Sequence, residues 1–389
     1  MRKDIKLYRI SKVRVNCPPL YTCIVDKGLI NMVYTSLLAF IISVVLIPLI
    51  IKFCKKYNVY DSINSRKVHT GKVSRLGGVA IFISFSISLF IYVFFFSSSH
   101  MLFPIIMWSG GFLIFLMGVL DDFLNLKARL KLLIQCVAAF MVVSCGYRFK
   151  QIIFIDVPPL VGQIFTFFWI IAVINSFNLI DGIDWLCSGI SFLTLSTLYI
   201  VFARSAVDYS AICLILSCAT LGFMFYNKPP AKIFLGDGGS QFLGYFVAVC
   251  PLFYSTWNYE YNKFLIMLVL VSIPLTDTIA AVWRRAREHR SFFSPDKSHV
   301  HHKLMNIGLS KRGAVFVLLG IQTLICLSVG LAMYLQAFNG TVLLILSFCF
   351  VLLIFSTLHY INRAVNRRIE KEQKSLTKKK TKKLERKQL

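Results

Sequence analysis

The chain of 389 residues has only 17 acidic residues, and those beside apolar runs are the first place to look for chemistry. Asp121 and Asp122 end the run GFLIFLMGVLDD. Asn175, Asn178, Asp181 and Asp184 follow a second run at three-residue spacing, and Asp237 opens a third within Gly236-Asp237-Gly238-Gly239-Ser240. Asp277 and Asp296 flank a basic stretch with Arg284, Arg285, Arg287 and Arg290, after which come His299, His301 and His302. Carboxylates at the ends of membrane helices are costly unless they are paired, metal-bound or turned to water. Gathered on one face with His and Arg, they are what a metal-assisted site for an anionic substrate requires: hard oxygens for a divalent cation, and basic groups for phosphate oxygens.

Each segment also has a plainer reading. Asp121-Asp122 reads alternatively as a pair of solvated caps, although acids are disfavoured at a helix C-terminus and need compensation there, from a divalent cation or from Lys127, Arg129 and Lys131. Asn175, Asn178, Asp181 and Asp184 would share one face of a helix turn, with Gly182 letting the chain turn, or would serve as polar glue between helices. Asp237 among glycines allows a ligand close to backbone amides at a helix start, or is a simple N-cap. The three His have a spacing open to zinc, to a solvated loop, or to an anion site built with the neighbouring Arg; the anion site is the preferred reading.

The elements that must position these residues follow from composition. The chain is 57% hydrophobic and 15% charged, against about 25% charged in soluble domains, with 35 Phe and a mean hydropathy of +0.70. That excludes a soluble globular enzyme and a disordered chain; continuous rather than alternating runs exclude a transmembrane barrel. The expected fold is an all-α polytopic membrane protein of eleven transmembrane helices, near 32–51, 77–96, 102–120, 131–146, 160–178, 188–203, 211–226, 238–256, 263–283, 313–334 and 340–360.

Of the 43 Lys and Arg, twelve lie after Ile361, as a basic cytoplasmic tail over 362–389 near anionic lipid rather than a nucleic-acid site. With that tail inside, the loops bearing the acids hold most other basic residues. The opposite side holds Arg148, Lys150, Arg204 and Lys263, in keeping with the positive-inside rule. Residues 1–31 break the rule with seven basic residues and carry no signal-peptide cleavage site; Met32 sits where the first span begins, so translation is expected to start there, and 32–361 is expected to form the transmembrane domain. The scattered Cys read as core residues.

Together with Ser65-Arg66-Lys67-Val68-His69-Thr70-Gly71 and Arg75-Leu76-Gly77-Gly78, the four segments resemble the polyprenyl-phosphate N-acetylhexosamine-1-phosphate transferase family from about Met32 to Tyr360. Within it they resemble the bacterial branch that initiates O-antigen, enterobacterial common antigen and teichoic acid linkage units. The resemblance implies transfer of a sugar-1-phosphate from a UDP-N-acetylhexosamine to undecaprenyl phosphate, releasing UMP, with Mg²⁺ or Mn²⁺, at the cytoplasmic face of a bacterial inner membrane. It implies that Asp121 and Asp122 are the paired acids, the first acting on the lipid phosphate, and that Asp237 binds metal with Asn178 or Asp122. Asp181 and Asp184 would act in catalysis or nucleotide binding, and Asn227 and Phe234 would line the uridine pocket. Lys131, Asn175, Arg284 and Arg285 would contact substrate, and His299, His301 and His302 form the motif that separates this branch from the peptidoglycan branch.

Trp185-Leu186 stands where the family usually has Gly-Leu, which puts the donor sugar in doubt, and Gly238 replaces a common Ala or Ser. UDP-GlcNAc is the default donor. The alternatives are a muramoyl-pentapeptide or other UDP-HexNAc transferase of the superfamily, or a membrane transporter. A transporter predicts acids near mid-membrane and internal repeats, and no repeat is found. A UbiA-type prenyltransferase would want a third Asp where Asn125 stands, and a CDP-alcohol phosphotransferase a longer motif than Asp181-Gly182-Ile183-Asp184. A homo-oligomer is compatible with the sequence.

Overall fold

The computed structural model describes residues 19–57, 59, 73–97, 102–153, 155–203, 207–253, 257–291, 298–335 and 337–388. The Ser65–Gly71 segment, Asp296 and Arg204 lie outside them. Among the described residues the chain is all-α but for one small hairpin. Its helices are α1 (Pro19–Tyr57), α2 (Gly77–Phe95), α3 (Leu102–Leu124), α4 (Ala128–Ser144), α5 (Pro159–Ile180), α6 (Leu186–Phe202), α7 (Val207–Asn227), α8 (Gly236–Phe253), α9 (Trp257–Leu270), α10 (Ser272–Arg287), α11 (Val300–Asn306), α12 (Lys311–Tyr334) and α13 (Ala337–Gln388). The strands β1 (Gln151–Ile152) and β2 (Ile155–Asp156) pair antiparallel between α4 and α5.

Among the described residues seven helices are long and apolar enough to cross a membrane, or eight with the bent pair α9–α10. The protein is therefore a polytopic membrane protein. Seven or eight is fewer than the eleven expected: α4 and α6, at 17 residues each, and α8, at 18 residues with a polar first half, are helical but are not among those spans.

The expected straight span over 263–283 is in fact broken, with α9 and α10 meeting at 75°. Pro274 explains the break. It has no N–H to give the Leu270 carbonyl four residues earlier, so the helical ladder fails there. Gln322 of α12 supplies the missing donor, its Nε2 lying 2.9 Å from Leu270 O. A freed carbonyl inside a membrane protein needs such a partner.

α8 is the central helix. It packs against α3, α5, α2 and α6, and every one of its residues except Asp237 is buried. Its second half, 242–253, is apolar nearly all round, as suits a core helix, and glycines let the neighbours come close to its polar first half. A Cβ on Gly118 of α3 would lie 2.5 Å from Gly238 Cα and 2.6 Å from Asp237 O. Gly78 of α2 faces the Gly239 backbone in the same way. Residues 74–78 also pair with 233–235: Phe234 N–H donates to Ser74 O at 2.8 Å, and Gly78 N–H to Leu235 O at 2.8 Å. The starts of α2 and α8 are thereby fixed side by side, against the end of α3.

Candidate active site

The two acids ending α3 receive the compensation that their position demands. After α3 the chain reverses through Asn125, in the left-handed region at φ 50°, a conformation Asn tolerates. That reversal brings Leu126 N–H to Asp121 Oδ1 at 2.7 Å. Asp122 reaches across to the start of α8, where its oxygens accept Asp237 N–H at 3.1 Å and Gly238 N–H at 3.2 Å. A carboxylate at the C-terminal end of one helix thus caps the positive N-terminus of another.

Lys131, in the first turn of α4, bonds Asp121 Oδ2 and lies 3.3 Å from Asp237 Oδ2. One ammonium bridges acids from α3 and α8. Four residues on, Gln135 begins a buried amide ladder, accepting from Asn175 Nδ2 at 2.7 Å and donating to Gln241 Oε1 at 2.8 Å. Asn178 Oδ1 accepts the Ser240 hydroxyl at 2.9 Å.

The expectation that Asn175, Asn178, Asp181 and Asp184 share one helix face is corrected by the structure. α5 ends at Ile180, Asp181 is its C-cap, and Asp184 lies in the turn beyond. The left-handed residue of that turn is Trp185, at φ 73°, not Gly182. Asp184 Oδ2 accepts Ala231 N–H at 3.1 Å. Asn227 accepts Trp185 N–H at 2.9 Å and donates to Ile233 O at 2.9 Å. Together these bonds tie the 181–185 turn to the loop between α7 and α8. The Trp185 indole donates to Met224 O at 2.7 Å and stands edge-on to Phe316, so its ring is committed to α7 and α12.

Asp181 is where the crowding of acids is felt most. Burial raises its carboxyl well above the usual range, and the charges of Asp237, Asp122 and Asp184 raise it further against the opposing charge of Arg75. Arg75 is one residue the sequence reading gave no role. Ser240, Gln135 and Gln241 are others, although Gln135 and Gln241 stand one turn from Lys131 and Asp237 and so share their faces, a usable signal.

The donors Asp121, Asp122, Asp181, Asp237 and Asn178 are all hard oxygens and suit Mg²⁺ or Mn²⁺ chemically. The mutual repulsion at Asp181 is what a divalent ion relieves. Among the described residues no three acidic, His or Cys side chains form a converged ligand set.

The His segment closes the site from the side of Gly182. A Cβ there would meet His301 Cε1 at 2.5 Å and Nε2 at 2.7 Å, so glycine is needed for the imidazole to pack. Burial, then the neighbouring His302 and His299, push His301 down to about 3 against the pull of Asp277. His301 is therefore neutral at physiological pH and supports the turn as an uncharged group. His302 packs on it at 4.3 Å between ring centroids. His299 is held through Nδ1, 2.8 Å from Asp277 Oδ2. Arg284 and Arg285 occupy the last turn of α10, two turns beyond Asp277, with Arg285 buried. Phe234 lies beside the site through its backbone pairing with Ser74 and Gly77.

Comparison with known proteins adds a family. The profile described as "Glycosyl transferase family 4" matches residues 104–255, from α3 to just beyond α8. A Bacillus subtilis (strain 168) protein named "Probable undecaprenyl-phosphate N-acetylglucosaminyl 1-phosphate transferase" is 33% identical over 339 residues, covering 85% of this chain and 91% of that one. The Escherichia coli (strain K12) "Undecaprenyl-phosphate alpha-N-acetylglucosaminyl 1-phosphate transferase" is 30% identical over 329 residues, covering 80% and 86%. A Yersinia pestis protein of the same name is 28% identical over 317 residues, covering 78% and 84%.

Proposed function

The chain belongs to glycosyl transferase family 4, among the undecaprenyl-phosphate N-acetylhexosamine-1-phosphate transferases, and from that premise we propose that it transfers N-acetylglucosamine-1-phosphate from UDP-GlcNAc to undecaprenyl phosphate. The products are UMP and the lipid-linked sugar that starts a cell-envelope polysaccharide. The observation that carries this reading is the Lys131 bridge between Asp121 and Asp237, beside Asp122 and Asp181. It sets fixed charge of both signs at neighbouring helix ends, which supports a site for an anionic lipid and a nucleotide. We place all eleven segments across a bacterial cytoplasmic membrane with this site facing the cytoplasm, as the distribution of Lys and Arg favours.

Phosphoryl transfer needs little covalent chemistry from a protein; positioning and charge neutralisation supply most of the catalysis. Asp237, with Asn178 and Asp122, would hold Mg²⁺, which when bound neutralises the donor pyrophosphate. Lys131 and the basic groups from Arg284 to His302 balance the remaining oxygens. An oxygen of the lipid phosphate attacks the sugar-proximal phosphorus, the bond from that phosphorus to the UMP oxygen breaks, and UMP leaves with the bonding pair. Asp121 orients the attacking phosphate or takes its last proton. With a second phosphate pKa of about 6 the lipid is already largely dianionic at neutral pH, which favours direct attack over an aspartyl intermediate. Asn227 and Phe234 are assigned to the uridine side, and Asp184 to the nucleotide through the loop it anchors.

The test is UMP release by purified protein in detergent with undecaprenyl phosphate, Mg²⁺ and a panel of UDP-sugars. Lipid- and metal-dependent release with UDP-GlcNAc is expected, and release with another UDP-sugar alone would reassign the donor. Exchange of labelled UMP into donor without lipid would show a covalent intermediate and overturn direct attack.

A further inference from the structure

We infer that Gln135 is a positioning residue for this reaction: through its amide bonds to Gln241 and Asn175 it sets α4 against α8, and so aims the Lys131 ammonium at Asp237. The inference rests on the transferase reading and deepens it, because it says what holds the charged layer of that site in register.

The site has two layers a helical turn apart, each drawn from the same three helices. Lys131 of α4, Asp237 of α8 and Asn178 of α5 form the upper layer. Gln135, Gln241 and Asn175 form the lower one, a turn further along α4 and α8 and a turn back along α5. α4 itself packs on α3 and α5. It reaches α8 through two long side chains: Lys131, 3.3 Å from Asp237 Oδ2, and Gln135, whose Nε2 donates to Gln241 Oε1 at 2.8 Å. An ammonium on a flexible four-carbon stem does little to fix the distance between two helices. The amide pair does more. Gln135 and Gln241 are both buried, and a slip that broke their bond would leave an unsatisfied polar group at that depth.

The ladder also has a direction. Asn175 Nδ2 donates to the Ile171 carbonyl at 2.8 Å, an oxygen that can only accept, and to Gln135 Oε1 at 2.7 Å. With its oxygen taken by α5, Gln135 turns its NH₂ to α8. One residue thus ties α4 to both neighbours, and only a side chain that donates and accepts can fill the place.

The discriminating experiment compares Gln135→Met with Gln135→Met/Gln241→Met in full-length protein in detergent. Melting temperature is read beside kcat for UMP release per folded molecule. Methionine is unbranched and apolar and fills the space without the amide. The single variant leaves Gln241 Oε1 without its donor and should melt lower; the double removes both sides of the bond and should recover most of that loss. In both, kcat should stay down by about 100-fold, the cost of a misplacement of about 1 Å near the chemistry, with KM for both substrates little changed.

A kcat that returns with the melting temperature in the double variant would mean that the ladder only stabilises the fold, and would overturn the inference. So would a raised KM at unchanged kcat. If the double variant does not fold, Gln135→Asn, which withdraws the amide by one methylene, takes its place, and wild-type turnover there would count against Gln135 in the same way. A structure of the folded variant gives a reading that needs no activity: an ammonium displaced from Asp237 supports the inference, and Lys131 Nζ still 3.3 Å from Asp237 Oδ2 overturns it. Absence of UMP release from wild type would count against the transferase reading, and the variant structure would still decide the role of Gln135.

Discussion

Two residues outside the membrane-spanning segments make stability depend on pH in opposite senses. Asp181 has its carboxyl raised by burial and by Asp237, Asp122 and Asp184, so the folded protein holds this proton more tightly than the unfolded chain does. Its contribution is fully present below the unfolded value of about 3.9 and is lost as pH rises through the raised value. His301, pushed down to about 3, contributes fully above about 6.5 and less as pH falls toward that lower value. Asp181→Asn removes the first dependence. In metal-free buffer its melting temperature is expected to exceed that of the wild type at pH 8 and to converge with it toward pH 4, as a thermal scan would show; a constant offset across that range would refute the assignment. Activity should be lost regardless.

At the scale of elements the feature that matters is the seat of α8. Its N-terminus is capped by a carboxylate from α3, and its flank is met by glycines of α2 and α3. Gly118→Val would force α3 off Gly238 and Asp237, moving Asp121 and Asp122 relative to Asp237. Overpacking of this kind costs roughly 1–3 kcal/mol, and kcat should fall by more than that loss of stability implies, because a shift of about 1 Å at a catalytic group can cost about 100-fold. Melting temperature and UMP release on the same preparation check both halves. That acids would gather at helix ends is legible in the chain, since lipid tolerates charge at few positions. The α9–α10 bend is not so easily read: a hydropathy window over 263–283 is the same for a straight and a broken helix, and only Pro274 marks the break. The left-handed Trp185 and the Gln135–Gln241 bond were hidden for another reason, as their partners stand on helices distant in sequence.

For the whole molecule, the proposed orientation puts the end of α4 outside and the loop after α7 inside. With Cys145, which is exposed, as the only cysteine, an impermeant maleimide is expected to label spheroplasts. With Lys228→Cys as the only cysteine, labelling should require permeabilisation; the reverse pattern would invert the topology. The family and the chemical class were readable because Asp121-Asp122, Asp181-Gly182-Ile183-Asp184, Asp237 and His299–His302 keep order and sidedness along the chain. How each side chain is satisfied was not, because Asp277 meets His299, and Lys131 meets Asp237, only once the helices have packed. That last contact has a consequence for the life of the protein in a cell. With an ammonium on the chain itself set between two of its carboxylates, these charges stay paired without the divalent ion we propose. On that proposal, scarcity of metal would leave the protein dormant rather than damaged, and its return to work would wait on the arrival of an ion and not on refolding.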